Sequence, residues 1–273
     1  MLMRAAATLD QPRAIGLAAL RVKARDGASH IDTLRHSGAL KVLFPRATDP
    51  MQAIMINTAG GITGGDRFDV AATAGVNTAL TISTQAAERA YRAQPNQTGV
   101  LRTKLTVEDN ATLNWVPQET ILFDGAAYAR RLDVDLAETA RFLMVEPVIF
   151  GRRAMGEEPN DLVFSDDIRV NRAGTPLYRD AMCWQGNVAA QLDRPAIAGG
   201  ARALATLLYV APDAAAHLDP LREMLGETAG ASLLADDVLT ARVLAADGFL
   251  LRRALLPALD RLTHHKLPIS WRL

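Results

Sequence analysis

Several carboxylates of this chain stand in apolar or glycine-rich segments, where an acidic side chain could take part in chemistry. They are Asp66, Glu119, Asp124, Glu146 and Glu157. Two carboxylates held side by side can act as general acid and general base. Because the chain has 30 acidic residues, some of them must be neighbours by chance. The residue pattern alone therefore favours ion-paired structural carboxylates over a catalytic pair.

The glycine-rich segment 57–68 contains four glycines within six residues. Glycine can take positive φ angles and lets neighbouring backbone approach closely. A phosphate-binding P-loop would need Gly-Lys-Ser/Thr, whereas Asp66 follows the last glycine here and its carboxylate would repel phosphate. The dinucleotide spacing Gly-x-Gly-x-x-Gly is also absent. The segment favours a structural turn between strands over a nucleotide-binding loop.

Histidine and cysteine, which often bind transition metals, show no ligand spacing in this sequence. The five histidines are His30, His36, His217, His264 and His265. We expect His30 and His36 to flank a loop, and adjacent histidines on a regular helix point about 100° apart. Cys183 has no CxxC partner and is predicted to be a buried structural residue. The sequence predicts no high-affinity metal site, and the hydrolase motifs Gly-x-Ser-x-Gly and His-Glu-x-x-His are missing.

Short apolar segments separated by turn residues dominate the first two thirds of the chain. The predicted strands cover residues 40–44, 53–57, 68–72, 78–84, 100–107, 111–116 and 127–136. Segments 81–84 and 101–107 alternate apolar and polar residues, as half-buried strands do. Many short strands with few helices between them indicate an all-β body over residues 1–200, either antiparallel or coiled.

The last third of the chain mixes helices and strands. The sequence predicts a strand over 201–210, a helix over 212–225 and a hairpin formed by 232–235 and 238–244. Asp247 is placed to cap a second helix over 248–263, which Pro257 should kink or shorten. No low-complexity linker divides the chain. We expect one mainly β domain, 1–273, with two helices in a small α+β portion over 201–273.

The bulk composition excludes several classes of protein. Thirty basic residues balance thirty acidic ones, so the chain lacks the basic surface of a nucleic-acid binder. Apolar residues make up 49%, yet no segment approaches the roughly 20 apolar residues that cross a bilayer. The first residues lack the apolar stretch of a secretory signal. A single cysteine cannot form an intrachain disulfide, which favours a cytoplasmic protein.

Five motifs in a fixed order resemble the UreD (UreH) family of urease accessory proteins. They are Gly-Gly-Ile-Thr-Gly-Gly-Asp at 60–66, the segment 84–92 ending in Tyr-Arg, Pro-Gln-Glu-Thr at 117–120 with Phe-Asp-Gly at 123–125, Glu146, and Gly-Arg-x-Ala-Met-Gly-Glu at 151–157. The likeness covers most of residues 36–273 and ends near Trp271. This sequence departs from the family pattern at Ala59, Gln85-Ala86, Glu88-Arg89 and Ile269-Ser270.

The resemblance implies a β body with partly helical winding and a urease maturation chaperone that is not an enzyme. Its implied partners are apo-urease, UreF and UreG, a GTPase that carries nickel. The resemblance also implies that no cofactor is tightly bound and that transient Ni²⁺ passes through an internal passage to the urease active site. The residues expected beside this passage are Asp66, Thr84, Glu119, Asp124, Glu146 and Glu157, with Arg152 holding one carboxylate in a bidentate ion pair. Scattered oxygen ligands suit such a conduit because it must release its ion.

Two other functions stay open on the sequence alone. A small-molecule hydrolase built on the Asp/Glu/Arg cluster would have a deep pocket with a carboxylate of raised pKa, and would turn over substrate by itself. A plain interaction module would bind its partners without metal traffic. The passage hypothesis predicts instead that replacing Asp66 or Glu157 by alanine lowers nickel loading of urease without unfolding the chain.

Overall fold

Strands make up 52% of the computed structural model, which describes residues 12–46 and 49–272. One sheet has seven strands, β1 (Ile15–Arg25), β2 (Ala28–Gly38), β5 (Arg67–Ala74), β8 (Gly99–Val107), β11 (Ala127–Leu136), β13 (Leu162–Arg172) and β14 (Thr175–Gly186). The other has ten, β3 (Leu40–Leu43), β4 (Met51–Asn57), β6 (Ala79–Thr84), β7 (Glu88–Ala90), β9 (Thr112–Trp115), β10 (Thr120–Leu122), β12 (Arg141–Phe150), β15 (Ala203–Val210), β16 (Ala229–Ala235) and β17 (Val238–Ala245).

The chain passes from one sheet to the other and back, and strands from successive passes lie side by side. In the first sheet β1, β5, β8, β11 and β13 pair in that order, all in parallel. In the second sheet β4, β6, β9 and β12 do the same. The short strands β7 and β10 pair in parallel with each other, and β10 also pairs with β12. The predicted β fold is confirmed, and the coiled alternative is the one that the structure adopts.

The main core lies between the two sheets because alternate residues of each strand point inward. In β11 the inward residues include Leu132 and Val134, which are 1% and 0% exposed. Leu113 and Phe142 of the opposite sheet are fully buried in the same cluster. Burying one such side chain stabilises the fold by about 1.5–3 kcal/mol. This apolar packing holds the inward-facing polar side chains of the same strands in place.

The C-terminal part packs helices against the far end of the second sheet. After the short helix α1 (Val188–Leu192) come α2 (Leu218–Leu225) and α3 (Gly248–Leu262). Asp247 caps α3 as predicted, since its Oδ1 accepts the N–H of Leu250 at 2.8 Å. The helix continues through Pro257, so the expected shortening is wrong. Proline has no N–H, so Pro257 cannot donate to the carbonyl of Arg253 four residues earlier. Both residues are exposed, so water can bind this carbonyl instead.

Two predictions about outer strands are wrong. His30 and His36 lie within β2 rather than beside a loop, and Cys183 on β14 is exposed rather than buried. β2 and β14 are the two outer strands of the seven-stranded sheet, and neither has a fully buried face. β2 shows no apolar alternation, so the pattern that identifies half-buried strands is missing from it. On β14, Met182 and Trp184 pack against the core, and Cys183 between them points to the opposite, exposed face.

The remaining C-terminal elements follow the predicted order. β16 and β17 form the hairpin around Asp236 and Asp237, and Gly226 follows α2. The helix predicted from residue 212 begins instead as a 3-10 turn, Ala214–His217, and becomes α-helical at Leu218. None of the helices in the described residues is long and apolar enough to span a membrane.

Candidate functional site

A cavity of about 160 Å³ lies between the two sheets, and strands from β3 to β12 supply most of its lining. Tyr128 and Arg130 reach it from the first sheet, and Trp115 and Glu146 from the second. The exposed segment at Gln85 forms part of its rim. One water molecule needs about 10–15 Å³ of such space. The cavity therefore has room for several water molecules or for a hydrated ion.

Arg130 brings a positive charge into the cavity wall. Its side chain lies on the inward face of β11 and is 6% exposed. Its Nε donates to Asp166 Oδ1 at 3.0 Å, and its Nη2 also contacts that carboxylate. Its Nη1 lies 2.5 Å from Glu146 Oε2. One guanidinium therefore faces two carboxylates, and the cluster is one negative charge in excess when both are ionised.

Glu146 meets the cavity from β12 and is 3% exposed. Trp115 Nε1 donates to its Oε1 at 2.6 Å. Burial raises the pKa of Glu146, and the charge of Arg130 offsets only part of that increase. A carboxylate in this position is stabilised by any further positive charge that enters the cavity.

Among the described residues, four buried side-chain nitrogen or oxygen atoms lack a hydrogen-bond partner, and three of them line this cavity. They are Gln118 Nε2, Tyr128 Oη and Glu146 Oε2. The Glu146 atom is close to Arg130 but is not in hydrogen-bond geometry with it. An unpaired buried polar group costs about 1–3 kcal/mol. Glu146 Oε2 is ion-paired with Arg130, whereas Gln118 Nε2 and Tyr128 Oη have no protein partner and can be completed by water or a ligand in the cavity.

Thr84 and Glu88 line the cavity near its exposed rim. Thr84 Oγ1 donates to the carbonyl of Ala86 at 3.0 Å and accepts the N–H of Gln118 at 2.9 Å, so it fixes the rim. Glu88 on β7 accepts hydrogen bonds from Asn57 Nδ2 at 3.1 and 3.2 Å. Burial raises the pKa of Glu88, and the Asn57 hydrogen bond counters only part of the increase.

Asp66 and Glu119, both predicted passage residues, do not line the cavity. Asp66 Oδ1 accepts the N–H of Ala14 and its Oδ2 accepts the N–H of Thr63, both at 2.8 Å. Glu119 accepts from Arg252 at both of its oxygens, at 2.9 and 2.7 Å. All four oxygens therefore have structural partners. Asp66 closes the glycine-rich segment, and Glu119 attaches α3 to the β body.

Asp124 and Glu157 lie together in a second pocket, which is open at the surface. Asp124 Oδ2 is 2.5 Å from Arg92 Nη2, and its Oδ1 accepts two backbone N–H groups at 2.9 Å. Arg152 Nε donates to Glu157 Oε2 at 3.1 Å and Nη2 contacts the same oxygen, so the ion pair does not engage both carboxylate oxygens. This hydrogen bond holds the pKa of Glu157 below its usual value. Of the six predicted residues, only Thr84 and Glu146 line the cavity. Asp124 and Glu157 line the second pocket, and Asp66 and Glu119 have structural partners elsewhere.

The glycine-rich segment meets the aromatic side chain of Tyr91. A Cβ on Gly61 would lie 2.3 Å from the Tyr91 ring and 2.6 Å from the carbonyl of Arg89. Gly61 also has a φ of 155°. Close backbone approach therefore explains the glycine at this position.

Sequence reasoning missed three side chains of the cavity, Glu88, Tyr128 and Arg130. Arg130 could have been found, because it occupies an inward position of the predicted strand 127–136, where alternation assigns an apolar residue. In the part of the chain that the structure describes, no three His, Cys, Asp or Glu side chains are arranged to hold a metal ion. The cavity is suited to weak binding of a cation by oxygen atoms.

Relatives of this chain are found along its whole length. The family model for the UreD urease accessory protein matches residues 14–271. A urease accessory protein UreD of Roseobacter denitrificans is 57% identical over 273 residues, which is 100% of both chains. Those of Ruegeria pomeroyi and Mesorhizobium japonicum are 51% and 44% identical, cover 89% and 96% of this chain, and are each 95% covered themselves.

Proposed function

Because the chain belongs to the UreD family of urease accessory proteins, we propose that it is a non-catalytic chaperone that delivers Ni²⁺ to apo-urease. The resemblance first carried by five motifs is confirmed, and a role in urease maturation follows from it. The proposed partners are apo-urease, UreF and the GTPase UreG, and the proposed location is the cytoplasm. Ni²⁺ is the cargo of this protein, and no cofactor is tightly bound.

The observation that supports nickel traffic most directly is the cavity between the sheets. Two buried polar atoms without a protein partner, Gln118 Nε2 and Tyr128 Oη, line it, and an excess of carboxylate over guanidinium favours an incoming cation. Oxygen atoms bind Ni²⁺ more weakly than a histidine cage would, because imidazole suits this metal better. Weak binding is what a conduit needs, since an ion that enters must also leave.

The proposal is tested by urease activation in cells that express the cognate urease subunits and accessory proteins, with nickel present. Urease activity and nickel content are measured with and without this chain, together with co-purification of the chain with apo-urease. We expect activity and nickel only when the chain is present. Equal activation without it would rule out the delivery function.

Glu146→Gln tests whether the cavity takes part in delivery. The variant keeps the size of the side chain and an oxygen for the Trp115 hydrogen bond, but removes the charge. We expect nickel content of urease to fall by about tenfold or more. Glu223→Gln, at an exposed position on α2, is the matched control and should load urease normally. Normal loading by Glu146→Gln would favour a plain interaction module.

A hydrolase remains the second candidate because one observation favours it. Glu146 is a buried cavity carboxylate with a raised pKa, as a general acid would be. Its oxygens, however, already face Trp115 and Arg130. Turnover of ester, amide or glycoside substrates by the isolated chain, abolished in Glu146→Gln, would support the hydrolase over the chaperone.

A further inference from the structure

Glu88 is a cavity carboxylate at a position where this sequence departs from the family motifs. It lies on β7 and pairs in register with Thr120 of β10. Thr120 Oγ1 accepts a hydrogen bond from Arg130 Nη1 at 3.3 Å. Glu88 therefore stands between the exposed rim at Gln85 and the charged cluster around Arg130.

The hydrogen-bond donors to Glu88 are neutral groups. They are the Asn57 side-chain amide, at 3.1 and 3.2 Å from the two oxygens, and the backbone N–H of Arg89, at 3.2 Å. Asn57 is itself fixed, because its Nδ2 also donates to the carbonyl of Gly61 at 2.9 Å and its Oδ1 accepts the N–H of Ala59 at 3.0 Å. The Glu88 carboxylate is thus held in place without being neutralised.

Two other carboxylates near the interior, Glu146 and Glu119, have an arginine against them. Arg130 faces Glu146, and Arg252 binds both oxygens of Glu119. Within the residues that the structure describes, no ion pair of this kind reaches Glu88. The charge of Arg89 also acts on Glu88, but without an ion pair. The oxygens of Glu88 are therefore free of a bound guanidinium, whereas one oxygen of Glu146 already contacts Arg130.

Tyr128 provides an independent sign that the cavity accepts a ligand beside Glu88. Its side chain is 1% exposed, its hydroxyl has no hydrogen-bond partner, and it lines the same cavity. The positive charge of Arg130 and the negative charges of Glu88, Glu146 and Asp166 all act on this hydroxyl, so it lies among the charged groups of the cavity. A phenol oxygen can bind a cation or a water molecule that a cation holds.

We propose that Glu88 is the principal cation-binding carboxylate of the cavity, holding a divalent first-row metal ion with the Tyr128 hydroxyl and cavity water. This inference rests on the proposed function only in taking Ni²⁺ as the ion. A site with one free carboxylate binds loosely. Glu88 receives the ion close to the rim, and the ion then moves inward past Thr120 of the neighbouring strand β10.

The test is direct binding of Ni²⁺ to the purified full chain by equilibrium dialysis. His264→Asn and His265→Asn are introduced as a common background, because these exposed histidines would bind nickel at the surface. Both have positive φ angles, 50° and 62°, which asparagine tolerates. Glu88→Gln should weaken Ni²⁺ binding by about tenfold or more, while Glu223→Gln binds as the background does.

Tyr128→Phe keeps the inference falsifiable if Glu88→Gln fails to fold. The removed hydroxyl has no protein partner, so thermal stability should be unchanged or higher while Ni²⁺ binding weakens. Unchanged Ni²⁺ affinity in folded Glu88→Gln, or in Tyr128→Phe when the first variant is unfolded, overturns the inference whatever the urease assay gives. The two assays can also disagree. If Ni²⁺ binding depends on Glu88 but urease is loaded equally well without the chain, the inference is supported and the delivery function is overturned.

Discussion

Arg130 is the side chain that compensates the buried charges of Glu146 and Asp166. It contacts both Glu146 and Asp166, and the three side chains are 6%, 4% and 2% exposed. A buried charge that loses its partner is strongly destabilising, because neither water nor another group compensates it.

Arg130→Met should therefore lower the free energy of unfolding by about 3–5 kcal/mol. Arg131→Met is the matched control, since this neighbouring residue is exposed and its ion pair with Asp133 lies at the surface. Its loss should cost less than about 1 kcal/mol. Urea denaturation followed by tryptophan fluorescence measures both, and equal losses in the two variants would contradict the assignment.

The hydrogen bonds of Asp66 predict that Asp66→Ala lowers the stability of the fold. Both carboxylate oxygens accept backbone N–H groups, so alanine leaves two partly buried donors, Ala14 before β1 and Thr63 in the glycine-rich segment, without acceptors. We expect a loss of at least about 1–3 kcal/mol in stability, measured by thermal denaturation. Asp69→Ala, at an exposed position on β5, should change stability little. A folded Asp66→Ala variant of wild-type stability would show that the turn does not need this cap.

At the level of elements, Arg252 adds a polar link between α3 and the β body to the apolar packing of the helix. Arg252 donates to Gln118, to both oxygens of Glu119 and to the carbonyl of Trp271. Arg252→Met should destabilise this contact by about 2–3 kcal/mol and speed hydrogen exchange of the α3 amides. Arg253→Met, one residue along on the exposed face, is the control. Unchanged α3 exchange in Arg252→Met would mean that apolar packing alone holds the helix.

The strands could be predicted where one face is buried, and not elsewhere. β11 was predicted with its observed bounds because Leu132 and Val134 alternate with polar residues. β2 was missed because it has no buried face. The pairing of strands and the partners of carboxylates are set by contacts between distant residues, such as Glu119 and Arg252, 133 positions apart. No local sequence pattern indicates such contacts. The sequence could therefore identify Glu119 as a candidate functional carboxylate, but not its ion pair with Arg252.

At the level of the whole molecule, an ion pair joins the two sheets at the C-terminal hairpin. Arg172 at the end of β13 contacts Asp237, which lies between β16 and β17. The Arg172 hydrogen bond holds the pKa of Asp237 below its usual value. A carboxyl with a lowered folded-state pKa stabilises the fold above its unfolded pKa of about 3.9, and this contribution is lost as the pH falls through the folded value.

Asp237→Asn should therefore cost about 0.5–1 kcal/mol at neutral pH, and the difference from the wild type should shrink below about pH 4. Urea denaturation of both proteins at neutral pH and below about pH 4 measures this difference in the free energy of unfolding. Asp236→Asn, at the neighbouring exposed turn position, should show neither effect. A difference between wild type and Asp237→Asn that is constant with pH would contradict the ion-pair explanation.

Trp271 is fully buried, and its Nε1 donates to the carbonyl of Val116 at 2.9 Å across 155 positions of sequence. At ribosomal rates of about 5–20 residues per second, Trp271 is made roughly 8–30 s after Val116. During that interval the β body can wind coil by coil, but Val116 and Glu119 have no partners from the C-terminal part. The nascent chain therefore carries an uncovered apolar surface and an unpaired acidic group, and it is exposed to aggregation until translation reaches the last helix.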